Sequence, residues 1–208
     1  PALPLLRRID GDAPAPLTLR RALRDARGTG IAPPVRFAQG WLLEPLAAPT
    51  RPVWIWGAGH VGRALVGVLA PLPDLAITWA DTAHDRFPDP LPGGVTALPA
   101  PALAAAMAHA PRDAHHLILT YSHALDLDLC HAALNHGFAS AGVIGSATKW
   151  ARFRKRLGDL GHAPAQIDLI DCPIGDPSLG KHPQAIALGV AAALLARPAK
   201  MTAKEARA

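Results

Sequence analysis

From residue 51 onward, short apolar runs alternate with stretches whose apolar positions recur at helical spacing. Val53-Trp54-Ile55-Trp56 reads as a buried strand, and 60–70 continues as an amphipathic helix. A second strand is predicted over 75–80, then a proline-rich loop over 87–94 and a short strand near 95–97. Pro101 opens an alanine-rich helix to about 110. The run 116–121 reads as a buried strand, 125–136 as a helix stopped by Gly137, and 140–144 as a further strand. Ser146 is placed as the N-cap of a helix over 146–160 that ends before Gly161, and Pro183, at a first helical position, opens a last helix over 183–197. Strand and helix alternate throughout, which predicts an α/β chain built on a doubly wound parallel sheet. Residues 1–50 are proline-rich and read as irregular apart from one helix over 17–27 ended by Gly28. With a chain that begins at Pro1, they are expected to be the remnant or linker of an incomplete amino-terminal domain. The domain itself is expected over 51–197 and a tail over 198–208.

The turn after the first apolar run sharpens this to a Rossmann-like sheet. Gly57-Ala58-Gly59-His60-Val61-Gly62 follows a strand and opens a helix, and Asp81 closes the next strand nineteen residues after Gly62. Gly57 allows the tight turn, Gly59 lets backbone approach a phosphate, and Gly62 lets helix and strand pack closely. Helix amides then face the anion. Asp81 is placed to accept the ribose hydroxyls of a dinucleotide.

Composition constrains the class. Half of the 208 residues are hydrophobic while only 5% are aromatic, so the core must be aliphatic and rich in alanine. The uncharged run 185–196 falls well short of the roughly 20 residues that span a bilayer and reads as a buried helix, with no membrane role. Two cysteines, Cys130 and Cys172, are too few for a disulfide framework and point to a reducing cytoplasm. The net charge of +5 gathers partly in the first thirty residues and partly in Lys149, Arg152, Arg154, Lys155 and Arg156. Without aromatic interleaving or a recognition helix, this favours an acidic protein partner or small anion over nucleic acid.

Ligands of doubly wound sheets sit outside the strand carboxyl ends at the topological switch. That rule collects the candidate residues into one crevice: the glycine loop, Asp81, Thr120-Tyr121-Ser122-His123, and Gly145-Ser146 with Lys149. Asp171-Cys172-Pro173-Ile174-Gly175 is expected to return to the same edge. His60 at a helix start either donates a hydrogen bond to a ligand or simply caps the turn or faces solvent, and His123 is expected to line the crevice. Gly145 to Lys149 offers amides, hydroxyls and an ammonium to a second anion. Cys172, in a proline-glycine turn, reads as a soft metal ligand, a sulfur acceptor or a small buried hydrophobe. His131, Asp128 and Cys130 do not share one face, and His115 and His116 point to opposite faces, so neither group makes a zinc site.

Gly57-Ala58-Gly59-His60-Val61-Gly62, Thr120-Tyr121-Ser122-His123 with Asp126, Ile144-Gly145-Ser146-Ala147-Thr148-Lys149, Pro173-Ile174-Gly175 and His182-Pro183-Gln184-Ala185-Ile186-Ala187 occur in the order seen in xanthine dehydrogenase accessory proteins of the XdhC/CoxI type, which the chain resembles over about 51–197. The resemblance implies a chaperone more than an enzyme. It implies binding of the molybdenum cofactor (molybdopterin), support of its sulfuration with a cysteine desulfurase, delivery to xanthine dehydrogenase, and Cys172 as a candidate metal ligand; a homodimer is left open. Two features depart from the family: its glycine-rich amino-terminal domain has no counterpart in 1–50, and Tyr121-Ser122 intervene between Thr120 and His123. An NAD(P)-dependent oxidoreductase, with His123 or Tyr121 as proton donor, and a nucleotide-sensing module are the competing readings.

Overall fold

Apolar runs set between tight turns fold here into two sheets, one on each side of a division between Thr50 and Arg51. The structure, a computed structural model, describes residues 3–31, 33–46 and 51–197; the predicted tail at 198–208 lies outside the described residues.

The first unit contains β1 (Leu3–Arg8), α1 (Leu17–Thr29), β2 (Arg36–Ala38) and β3 (Trp41–Leu46). The strands form an antiparallel sheet in the order β1-β3-β2. Gln39 and Gly40, with φ of 50° and 78°, join β2 to β3 through a tight turn of the primed type that matches strand twist. Arg7 Nε donates to Glu44 across the sheet at 2.8 Å, and the Trp41 indole donates to Ala13 O at 2.9 Å. The expectation of irregular chain outside 17–27 is therefore corrected. Pro4 and Pro45 read as strand breakers, yet they lie opposite one another in the register of β1 and β3, a pairing local pattern does not reveal.

The second unit runs β4 (Arg51–Trp56), α2 (His60–Leu69), β5 (Leu75–Asp81), β6 (Val95–Pro99), α3 (Leu103–Ala106), β7 (His115–Ile118), α4 (His123–His136), β8 (Ser140–Val143), α5 (Ala147–Asp159), α6 (Pro164–Ile167), β9 (Ile170–Asp171) and α7 (Pro183–Ala196). Among the described residues its strands form a six-stranded parallel sheet in the order β6-β5-β4-β7-β8-β9. Counted within the unit this is 3-2-1-4-5-6, the Rossmann order, with its switch between β4 and β7.

Several boundaries differ from the sequence pattern. The helix expected from 101 to 110 is the short α3 followed by a 3-10 turn at 107–109. The strand expected to reach 121 ends at Ile118, which lifts Thr120 and Tyr121 into a loop over the sheet end. α6 and β9 were too short to show a period, although the return of Asp171 to this edge is met by the pairing of β9 with β8.

Both faces of the sheet are covered. Trp54, Trp56 and Val143 of the sheet pack with Leu103 of α3, Leu129 of α4 and Phe153 and Leu157 of α5. On the other face Val53 and Ile55 pack with Leu65 and Leu69 of α2 and Val190 and Leu194 of α7. The last helix is not buried all round as expected: Ala187, Val190 and Leu194 face the core while Leu188 and Leu195 are exposed. Arg51 Nη2 donates to Leu194 O at 2.8 Å and satisfies a carbonyl of the last turn of α7. His115 and His116 have separate partners, as their opposite facing predicts. His115 meets Ser140 Oγ at 2.8 Å. His116 is 0% exposed and its Nδ1 accepts from the Trp56 indole at 3.1 Å, so the ring proton sits on Nε2. Burial, with His136 and His115 nearby, lowers the His116 pKa from 6.5 to about 4. Among the described residues, no helix is long and apolar enough to cross a membrane.

Candidate functional site

The strand β4 ends against a turn that only glycine fits. Gly57 has φ of +119°, and a Cβ there would lie 2.4 Å from Leu119 O. A Cβ on Gly62 would lie 2.0 Å from Gly57 O, so the first turn of α2 packs directly on the loop. At Gly59 the opposite holds: nothing lies within 4 Å of a Cβ position, and the backbone is open to an approaching group. No side chain caps α2, whereas Ser122 and Ser146 hydroxyls cap α4 and α5. The first amides of α2 are thus left for solvent or a ligand, with the positive end of the helix dipole behind them.

Asp81 sits at the end of β5 as predicted, but its carboxylate is buried and turned into the protein. Oδ2 accepts from the Ala58 amide at 2.6 Å, and Oδ1 accepts from the Thr82 amide at 2.6 Å and its hydroxyl at 3.1 Å. Arg86 Nε faces Oδ1 at 3.4 Å without an aligned hydrogen bond. The acidic residue therefore fixes the glycine loop, and a ribose hydroxyl would have to displace one of these contacts.

Two arginines flank the loop. Arg63 Nε donates to Ala58 O at 3.1 Å and its Nη2 to Arg86 O at 2.8 Å. The Arg86 guanidinium stacks over the Tyr121 ring at 4.9 Å. With Gly59, His60 and Asp85 these residues line a cavity of about 500 Å³ at the mouth of the loop. Two arginines and one carboxylate, Asp85, thus border exposed backbone, and the helix-start amides with the arginines are suited to a phosphate or carboxylate group. Arg63 and Arg86 were not singled out from sequence. The available signal was the position of Arg63 one turn into α2, on the face shared with His60.

Across the switch, the predicted residues turn to one another. Asp126 Oδ1 accepts from the Thr120 amide at 2.9 Å and is 2.7 Å from the Thr120 hydroxyl. Lys149 Nζ donates to Asp126 Oδ2 at 2.6 Å and to Ile144 O at 2.7 Å. Side-chain exposures of 1% for Asp126 and 9% for Lys149 make this a buried ion pair. The ammonium expected to meet a second anion is committed internally, and Ser146 Oγ accepts from the Lys149 amide at 3.3 Å. Ser122 likewise caps α4, accepting from Leu125 N at 3.5 Å, and His123 is exposed on the first turn of that helix.

A Cβ on Gly145 would meet Cys172 Sγ at 3.2 Å and the Lys149 stem at 2.9 Å, so Gly145 makes room for both. The Cys172 thiol is half-buried, and burial raises its pKa, with Lys149 lowering and Asp126 raising it. It lines a cavity of about 370 Å³ with Pro173, Val190 and Arg197, whose lining shares no residue with the cavity of the glycine loop. Among the described residues no group of three or more His, Cys, Asp or Glu is placed to hold a metal ion. The structure thus opens Gly59 and His60 to one mouth with Gly57 and Gly62 buried behind it, ties Asp81 beneath it, and joins Thr120 and Lys149 through Asp126 in a separate cluster, with Gly145 and Cys172 packed against Lys149.

The family model of the XdhC Rossmann domain matches residues 53–194. No curated protein matches the chain. Among solved structures, a xanthine dehydrogenase from Bacillus halodurans aligns with a TM-score of 0.62 at 18% identity, over 80% of this chain and 49% of that one. The chain thus spans about half the length of that protein, and the likeness bears on fold. A short-chain dehydrogenase/reductase from Veillonella parvula in complex with NADP aligns at a TM-score of 0.37 and 13% identity, over 65% of this chain and 61% of that one.

Proposed function

We propose, from the fact that this chain belongs to the XdhC family, that its Rossmann domain binds molybdenum cofactor, shields it during sulfuration and hands it to xanthine dehydrogenase. The observation that carries this reading is the glycine-loop mouth: exposed backbone at Gly59, uncapped α2, and Arg63 with Arg86 around a cavity of about 500 Å³. Molybdopterin bears a phosphate that suits this mouth, and when bound the cofactor supplies a redox-active metal held by a dithiolene. The residues for the phosphate are Gly59, His60, Arg63 and Arg86, with Gly57 and Gly62 setting the loop and Asp81 holding it.

The partners in the proposal are xanthine dehydrogenase and a cysteine desulfurase, in the reducing cytoplasm. A carrier must release its cargo, and an open mouth with moderate, screenable charge contacts favours exchange over permanent retention. Cys172 is the candidate soft donor, but it lines a separate cavity, so it meets the metal only when the cofactor leaves the glycine-loop mouth, as on transfer. Its raised pKa sets the condition that the thiolate forms on metal binding, with loss of a proton.

The competing NAD(P) reading draws on the strand order and the glycine loop. The inward commitment of Asp81 speaks against it, because the group that would hold ribose already accepts from Ala58 and Thr82. The test is anaerobic purification of the full chain from cells that make the cofactor, followed by metal analysis and by oxidation of any pterin to its fluorescent product. Stoichiometric molybdenum and pterin are expected. Retention of nicotinamide nucleotide with neither of them would overturn the proposal. Cys172→Ala with unchanged molybdenum retention would remove that residue from it.

A further inference from the structure

α2 and α7 pack side by side on one face of the sheet, and both begin at its carboxyl edge. Along α2, from His60 to Val68, and against the start of α7 lies an open groove of about 640 Å³. Ala64, Gly67 and Val68 give it an apolar floor, while His60, His182 and Gln184 stand on its rim. His60, with Arg63 beside it, also lines the glycine-loop cavity, so the two spaces meet over these side chains.

We infer that this groove is the subsite for the flat heterocyclic part of a phosphate-bearing ligand, a fused lactam ring of the pterin type, whose phosphate lies at the glycine loop. The assignment rests on the phosphate reading of that loop. Its volume falls within the range of small-molecule sites. Gln184 presents a donor and an acceptor side by side, the complement of the adjacent N–H and C=O of a lactam edge. The imidazoles of His60 and His182 offer flat faces on which such a ring stacks. Gly67 leaves the surface of α2 bare, with nothing within 4 Å of a Cβ position, so a planar group can lie against the helix. The alternative path, over the ends of β7 and β8, is occupied by the hydrogen-bonded Thr120, Asp126 and Lys149 side chains.

The same bare position supplies the test. Gly67→Trp fills the groove without meeting protein atoms at its Cβ and replaces a poor helix former, so the fold is retained. Fluorescence titration of the full chain with neopterin monophosphate, and competition by inorganic phosphate, are the measurements. Wild-type protein is expected to bind the pterin phosphate. Gly67→Trp should weaken it at least tenfold while leaving inorganic phosphate affinity and the melting temperature unchanged, and His182→Ala with Gln184→Ala should weaken it in the same selective way. Folded Gly67→Trp that binds neopterin monophosphate as wild type does would overturn the groove assignment and leave the phosphate reading standing. Wild-type protein that binds neither neopterin monophosphate nor inorganic phosphate would overturn the carrier reading and the groove with it.

Discussion

Lys149→Met separates two roles for one ammonium, ligand cation and structural partner. Methionine keeps much of the stem volume and removes the charge that lies 2.6 Å from Asp126 Oδ2 and 2.7 Å from Ile144 O. Asp126, 1% exposed, is left with the Thr120 amide and hydroxyl as its remaining donors. Breaking a buried pair by removing one partner costs about 3–5 kcal/mol, and the two surviving bonds to Thr120 place this case near about 3 kcal/mol. The orphaned Ile144 carbonyl adds on the order of 1 kcal/mol. Urea unfolding at pH 7 measures the loss directly. Adding Asp126→Asn to the methionine variant removes the stranded charge while its amide oxygen can still accept from Thr120, so about 2 kcal/mol should return, a coupling that a double-mutant cycle reads. A loss below about 1 kcal/mol for Lys149→Met would refute the reasoning, since a buried pair cannot be that cheap to break. So would a tenfold loss of phosphate affinity without loss of stability, which would restore Lys149 to the ligand.

His116 makes the fold acid-sensitive. Its folded pKa of about 4 lies below the unfolded 6.5, so the folded chain binds fewer protons between those values and its stability falls as pH drops through that window. The difference corresponds to about 3 kcal/mol, fully lost below pH 4, and His116→Gln should flatten urea midpoints between pH 6.5 and 4; midpoints equally steep in the variant would remove His116 as the cause. Gly62→Ala should unfold or severely destabilise the domain because its Cβ would sit 2.0 Å from Gly57 O, while Gly59→Ala should leave the melting temperature within a few degrees and weaken phosphate binding, a contrast that calorimetry and titration check together. Arg86→Ala should weaken inorganic phosphate at least severalfold and reduce the salt dependence of its binding; a variant with an unchanged salt dependence would place the anion elsewhere.

How much of the fold could be read from the chain depended on how far each element's stabilisation is local. β4, β5 and β8 announce themselves as apolar runs bounded by turns, α5 by its Ser146 cap and α4 by the Gly137 that stops it, whereas the Ser122 cap that starts α4 at His123, two residues before Leu125, was not read. The first unit was hidden because its strands pair across the helix that separates β1 from β3, with a proline in each. β9, two residues long, exists through its pairing with β8 and has too little sequence to show a period. α7 misled in the other direction: its uncharged composition suggested burial on all sides, but only the face carrying Ala187, Val190 and Leu194 meets the sheet.

The site was legible in position and misread in orientation. Spacing places Asp81 at the carboxyl end of β5, because strand and crossover lengths fix where the backbone goes. It cannot say whether the carboxylate faces outward to a ribose or inward to the Ala58 amide. Lys149 shows the same gap. The helix start at Ser146 is written in the sequence, but the ammonium is claimed by Asp126 on α4, twenty-three residues earlier and in register only once β7 and β8 have paired. Gly62 answers to the Gly57 carbonyl of its own loop, whereas Gly57, with φ of +119°, answers to Leu119 O, which the pairing of β4 with β7 brings there. Arg63 and Arg86 were missed because the cavity they line forms only when the loop after β5 folds back over α2, where Arg63 donates to the Arg86 carbonyl. At the loop mouth Arg63 is held by backbone carbonyls, and Arg86 by the ring of Tyr121 and a 3.4 Å contact with Asp81 that is not an aligned hydrogen bond, while Lys149, hydrogen-bonded to the buried Asp126 at 2.6 Å, is closed to a ligand. That division follows from side-chain partnership, a property of the packed sheet edge and not of motif spacing.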